Sequence, residues 1–323
     1  MASNSAATDR LAAGVRQDDG SAGRRRSLRQ SAEIALFLLP ALLLFIVFVL
    51  IPLVEAVYYS GFKWNGLEPL TNWIGLGNYQ RALDDQFFTG AIAHNVFILV
   101  LSLGVQQPIA LALALALSRG FRGRTFMRLV FFTPYVISEA TIGVIWLLVL
   151  QPNGPLDQIL GAVGLGQFIQ LWLAARSLVM TTLFVVISWQ YFGFSMILYL
   201  AGLTQIPTEL REAAAIDGAN GAQALRYITL PLLGPTIRVA VFLSAIGSLQ
   251  VFGLVFIMTS GGPFHASDTM VTWMIEQGLT RTALGYGAAM AVILGAIGLV
   301  FSLLYQRFVL RRDIEGSVTS FAG

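Results

Sequence analysis

Cysteine is absent from the 323 residues, histidine occurs twice, and the only lysine is Lys63. Without thiols there are no disulfides and no thiolate metal centres. His94 and His265 stand far apart and form no H-E-x-x-H pair, which removes that class of zinc hydrolase. A phosphate-binding P-loop needs a lysine before Ser or Thr at the end of a glycine-rich turn, so that it reaches the β- and γ-phosphates. Lys63 lies between Phe62 and Trp64 and cannot serve; if ATP drives this protein, another polypeptide binds it. No G-x-S-x-G elbow occurs and neither histidine sits at mid-membrane depth, which argues against an intramembrane hydrolase.

Charge is the other scarcity. Only 11% of residues are charged and 56% are hydrophobic, and the mean hydropathy is +0.73. A soluble domain carries roughly 25% charged residues. A water-facing surface cannot be built from this inventory, so the solvent is lipid. The net charge of +3 is small, and the pI of 9.4 reflects where the arginines cluster rather than a surface for nucleic acid.

Six apolar runs are long enough for the ~20 residues that a helix needs to cross a bilayer. They cover about 33–59, 91–117, 127–150, 177–202, 236–259 and 284–309. Lipid offers the backbone no hydrogen-bond partners, and runs of this length are too long for barrel strands, so the expectation is an all-α polytopic membrane protein. Residues 1–30 are Ala, Ser, Gly, Asp and Arg, with little to bury, and read as a disordered cytoplasmic tail. Arg24, Arg25 and Arg26 read as a cytoplasmic anchor rather than a twin-arginine signal, and no A-x-A site follows the first run, which is taken as retained. The membrane domain is set at 31–312 and a C-terminal tail at 313–323. With both termini inside, all of the 20 cationic residues except Lys63, Arg81, Arg176 and Arg281 fall on the cytoplasmic side, which favours an N-in, C-in topology.

The inner loop 203–235 is polar enough to stay out of the membrane yet carries a helical pattern. Pro207 suits a first turn, Glu209 sits where the helix dipole favours an anion, and Leu210, Ala213, Ala214 and Asp217 share a face. Gly218 is the expected stop, Asn220 caps a second short helix, and Pro231 and Pro235 are expected to end it. Lipid-surface helices present Trp, Phe or Leu on one face and cations on the other. Here the face is alanine-rich and the charges are mixed, so a surface that docks a protein is favoured over one that lies on lipid.

Glu212-Ala213-Ala214, Gly218, Ile228 and Leu230-Pro231 fit, at every position, the EAA signature of the permeases of binding-protein-dependent ABC importers. Asp217-Gly218-Ala219 within it, Gly77-Asn78-Tyr79, Asn153-Gly154-Pro155 and Gly261-Gly262-Pro263 resemble the carbohydrate, maltose-type branch of that family. The resemblance spans about residues 33–310. It implies a six-helix type I importer permease in a bacterial cell membrane, not an enzyme. The implied partners are a second homologous permease, two ATPase subunits holding ATP and magnesium, an extracytoplasmic solute-binding protein, membrane lipid and a sugar, with no nucleic acid. It also implies that Glu212, Ala213, Ala214, Asp217, Gly218, Leu230 and Pro231 form coupling helices that seat in the ATPase. No metal or cofactor is expected in this chain.

Polar residues at membrane depth are expensive and therefore informative. Glu139, Gln190, Tyr191, Ser195, Ser248 and Gln250 are the candidates for a substrate path, with Gln106, Gln107 and Ser244 beside them. Amides, a carboxylate and neighbouring aromatics suit a sugar, whereas the same Ser and Gln residues also serve to join helices. A secondary transporter would need buried charges for a coupling ion; only Glu139 is available, and the signature loop would then have no role. A polyol, glycerol phosphate or another non-sugar is the alternative solute.

Overall fold

A computed structural model describes residues 34–310. The expected tails and the Arg24–Arg26 anchor lie outside them. Two compact units divide at Tyr58 and Tyr59. The first contributes most of helix α1 (Ile34–Ser60), whose most apolar window has none of its residues buried within the chain. Leu36, Phe37 and Phe48 on it are all exposed, as expected of a segment solvated by lipid or by another subunit.

Among its described residues the second unit consists of helices joined by turns and irregular loops, with one isolated bridge between Phe62 and Trp73. Helix α2 (Gly77–Asp84) lies in the connection between α1 and the second span, where the buried Asn78 donates to the carbonyls of Ser60 (2.9 Å) and Phe62 (2.8 Å). Helix α3 (Gln86–Ser118) is the second span. It starts at Asp85, whose side chain accepts from the N–H groups of Phe87 and Phe88, and it widens into a π-turn at Ser102–Gln106. That turn sits just before Pro108, whose ring would crowd the carbonyl four residues back in a regular helix.

The third run departs from the expectation of one continuous span. Helices α4 (Arg124–Val136) and α5 (Glu139–Leu150) meet at 98°. Ile137 and Ser138 are extended, and the Ser138 hydroxyl caps α5 by accepting from Thr141 N–H. Pro134, inside α4, weakens the helix just ahead of the break. Helix α6 (Pro155–Ala162) follows. Helix α7 (Val179–Thr204) is unbroken and holds the largest share of buried side chains. It packs against the second half of α3 and against α4. Ala110 and Ala114 on α3, both fully buried, let the helices approach. At Gly193 a Cβ would stand 2.0 Å from the Phe131 carbonyl oxygen, so only glycine allows the α4–α7 crossing.

The inner loop forms α8 (Thr208–Ile216) and α9 (Gly221–Leu232). Pro231 does not end α9. A π-turn at Leu225–Thr229 precedes it, the helix runs through it to Leu232, and α10 (Gly234–Leu249) begins with Pro235 in its first turn, bent 66° from α9. The fifth run is interrupted as well: Gln250 and Phe252 leave helical geometry, and α11 (Gly253–Thr259) resumes against α5. Helix α12 (Met270–Ile275) lies in the connection between α11 and the last span, and α13 (Leu284–Leu310) is that span. Among the described residues, four helices are thus long and apolar enough to cross a membrane, or six with each bent pair taken as one span.

Candidate functional site

The two helix breaks open the centre of the second unit. Ser138 turns the chain so that Glu139 begins α5, and the interruption at 250–252 exposes Gln250. Between them lies a cavity of about 560 Å³ walled by residues from α3, α4, α5, α7, α10 and α11. Glu139, Tyr191, Ser195, Ser248 and Gln250 all reach its wall, as do Gln106 and Ser244. Five of the six path candidates therefore come together from three separate apolar runs. Gln190 does not reach it: the side chain is 2% exposed, and its amide donates to the Ile137 carbonyl at 3.4 Å, across the helix break. Gln107 is likewise turned inward, donating to Ser195 Oγ (3.0 Å) and accepting from Tyr199 Oη (2.6 Å).

The Tyr191 hydroxyl donates to Glu139 Oε1. Tyr135 stacks on Phe194 with ring centroids 4.8 Å apart, and both line the cavity with Phe252. Sequence reasoning passed over Tyr135 and Phe194. The signal for Tyr135 was its place between Pro134 and the break; for Phe194 there was none, because aromatic residues in an apolar run are ordinary packing. Ser248 is held from behind, its carbonyl accepting from Asn95 Nδ2 at 2.7 Å. The same amide donates to Leu249 O, and Asn95 Oδ1 accepts from Met270 N–H at 2.9 Å.

The inner loop has a different character. Glu209 occupies the first turn of α8, which ends at Asp217. Gly218 follows with φ +80°, a conformation that suits glycine. The Ala219 N–H returns to the Ala214 carbonyl at 2.9 Å and closes the turn. Asn220 and Gln223 form a reciprocal capping box on α9. Glu212, Ala213, Asp217 and Gly218 are exposed, Ala214 is buried, Leu230 is half-buried and Pro231 is exposed. Ile216 is 87% and Tyr227 70% exposed, whereas Leu233 is fully buried in the cluster of Met196 and Tyr199, fastening the loop to the spans.

On the opposite loops, Asp85 binds three elements together. Its carboxylate accepts from Trp273 Nε1 (3.0 Å) and Tyr286 Oη (2.7 Å) besides the α3 N–H groups. Partial burial works against its charge, but these donors outweigh burial and hold the carboxyl below the usual range. Asp268 is pushed the other way by burial, which the His265 ring nitrogen at 2.7 Å only partly offsets. His265, Asp268 and Glu276 place one potential ligand atom each within 4.8 Å of one another. Each already has a partner in the chain, Glu276 bonding Arg281 at 2.6 Å.

Comparison with known proteins agrees with this architecture. Residues 108–314 match the family described as "Binding-protein-dependent transport system inner membrane component". A probable ABC transporter permease of Bacillus subtilis is 37% identical over 84% of this chain and 94% of its own length. The diacetylchitobiose uptake system permease of Streptomyces coelicolor is 32% identical over 83% and 79%. The sn-glycerol-3-phosphate permease of Agrobacterium fabrum is 31% identical over 86% and 94%. Among solved structures, a bacterial ABC transporter that imports alginate superposes with TM-score 0.78 at 24% identity, covering 88% of this chain and 98% of that one, which shows a shared importer-permease fold. From the bent spans, the exposed loop and these likenesses together, the chain is a multi-pass membrane protein that belongs to the binding-protein-dependent transport system inner membrane components, the permease family of the ABC importers.

Proposed function

We propose that the chain is the permease through which a sugar, of di- or oligosaccharide size, crosses the cell membrane after delivery by an extracytoplasmic binding protein. The observation that carries this reading is the cavity at the helix breaks. It gathers amide, hydroxyl, carboxylate and aromatic groups from four spans, the chemistry that recognises a polyhydroxylated ring. The diacetylchitobiose permease among the relatives supports the solute class, and a permease for starch degradation products does so too. The glycerol-phosphate permeases keep a phosphorylated polyol as the second reading.

In this proposal Glu139, Tyr191, Ser195, Ser248 and Gln250 face the passing solute, and Gln190 supports the break behind them. The exposed α8–α9 loop seats in an ATPase subunit, with Glu212, Ala213, Ala214 and Asp217 at the contact, Gly218 at its turn, and Leu230 and Pro231 leading back to the spans. ATP and magnesium are bound by two ATPase subunits, and a second permease completes the pathway.

The test is to capture the chain by a C-terminal tag in mild detergent and identify what co-purifies. An ATPase, a second permease and a binding protein are expected; reproducible recovery of this chain alone would reject the assembly. In the reconstituted importer Gln250→Leu is expected to lower uptake at unchanged subunit composition. Unaltered transport would remove Gln250 from the path.

A further inference from the structure

Relatives of nearly equal identity carry a neutral disaccharide in one case and a phosphate ester in another, so likeness does not choose between them. The cavity's charge does. Among its lining residues Glu139 is the only one with a charged side chain, and no Lys, Arg or His is present. An anion brought into such a space needs a cation or a converging set of donors. The side-chain donors on the wall are the neutral amides of Gln106 and Gln250 and the hydroxyls of tyrosine and serine residues, and the Tyr191 proton is already committed to Glu139.

The carboxylate is built into this position. It stands at the first residue of the twelve-residue helix α5, whose free N–H groups favour a negative charge. Tyr191 on α7 holds Oε1. On the other side Gly253 of α11 leaves room, since a Cβ there would come within 1.9 Å of Oε2. Three elements are therefore shaped around one negative group that faces open space.

We propose that Glu139 is a charge filter: it keeps anionic solutes out of the cavity, so the solute carried is a hydroxylated molecule without net negative charge. This rests on the reading that the cavity lies on the solute's path, and it rejects phosphate esters and uronates as substrates.

The absence of cysteine allows a direct test. Ser244→Cys and Gln250→Cys each place one thiol on the cavity wall of the complete importer in nanodiscs. Modification rates are measured with a trimethylammonium-ethyl and a sulfonatoethyl methanethiosulfonate, each normalised to its rate with 2-mercaptoethanol. The local field alters the thiolate fraction equally for both reagents, so their ratio isolates reagent charge. The cationic reagent is expected to be favoured by about tenfold or more, as one unit charge at close range in a medium of intermediate dielectric would give. The preference should fall to near unity when Glu139→Gln is added and persist with Glu139→Asp, which also controls for folding.

A ratio near one with Glu139 intact, or a preference that survives Glu139→Gln, overturns the filter. So does failure of both reagents at both positions, because a space closed to molecules of this size cannot filter them. A cognate binding protein that holds a phosphate ester or uronate overturns it as well. Failure of the path reading looks different: the thiols would show the charge preference while modification left uptake unchanged.

Discussion

Asn95 and Asn220 show how differently two regions of the chain treat the same side chain. In the packed spans, Asn95 is wholly buried and reaches Ser248, Leu249 and Met270 across two other elements. In the inner loop, Asn220 is exposed and its side chain bonds within its own turn, accepting from Gln223 N–H. The apolar side chains invert the pattern. Leu183, Met196 and Met290 are buried among other helices, while Ile216 and Tyr227 in the loop stand open. A span must satisfy its polar groups internally because lipid will not. A loop in water closes its caps locally and can leave apolar groups outward for a partner to cover. The spans are held by long-range contacts within the chain, and the loop is a preformed but uncovered surface.

Substitutions that separate these regions test the contrast. The largest effect is expected at Gly193→Val, where the added carbons meet the Phe131 carbonyl in a backbone-to-backbone crossing. The yield of monodisperse protein should collapse, and wild-type yield would mean that α4 and α7 do not approach so closely. Next, Asn95→Leu leaves two carbonyls and one N–H without their buried partner and is expected to cost about 3 kcal/mol. Thermal unfolding in detergent reads this directly.

The loop should respond in the opposite way. Gly218→Leu forces a side chain onto φ +80° and is expected to cost about 1–2 kcal/mol in the turn. ATPase binding and coupled transport should weaken while the unfolding temperature of the spans holds. If both binding and transport were intact, the turn would have no part in coupling.

The smallest effect concerns Asp85. Its folded carboxyl lies below the ordinary range, so its stabilising charge is present above the unfolded value and is lost as pH falls through the folded one. The stability advantage of wild type over Asp85→Asn should therefore be flat near neutrality and shrink in acid. Tyr286→Phe removes one donor and should move that decline to higher pH. Melting curves collected across acidic pH would detect either shift, and a pH-independent gap would rule the charge out.

Much of the inner loop could be read in advance because its signals are local. The capping box at Asn220 and Gln223 and the positive φ at Gly218 depend on a few adjacent residues. Pro231 was harder, since a wide turn five residues long lets the helix accommodate it. In the spans, adjacent residues part company: Tyr191 reaches the cavity and Gln190 does not. Spacing could not separate them, because α7 is apolar on every side and buries most of its surface. The breaks at 137–138 and 250–252 were hidden for a related reason, as a few polar residues barely lower the hydropathy of a long run.

Composition alone determined that this protein lives in lipid, the distribution of its few charges set the expected side of each loop, and the placement of the single lysine excluded a P-loop of its own. Each follows from a sum over residues or from a short motif, independent of how helices meet. Tertiary structure decided which polar side chains share one cavity and which are turned into the packing. That choice depends on bend angles of 98° and 66° and on crossings permitted by residues such as Gly193, contacts between positions far apart in the chain. Hydrophobic burial assigns a residue to lipid or protein, but only the packed geometry of several helices assigns it to a wall or a core.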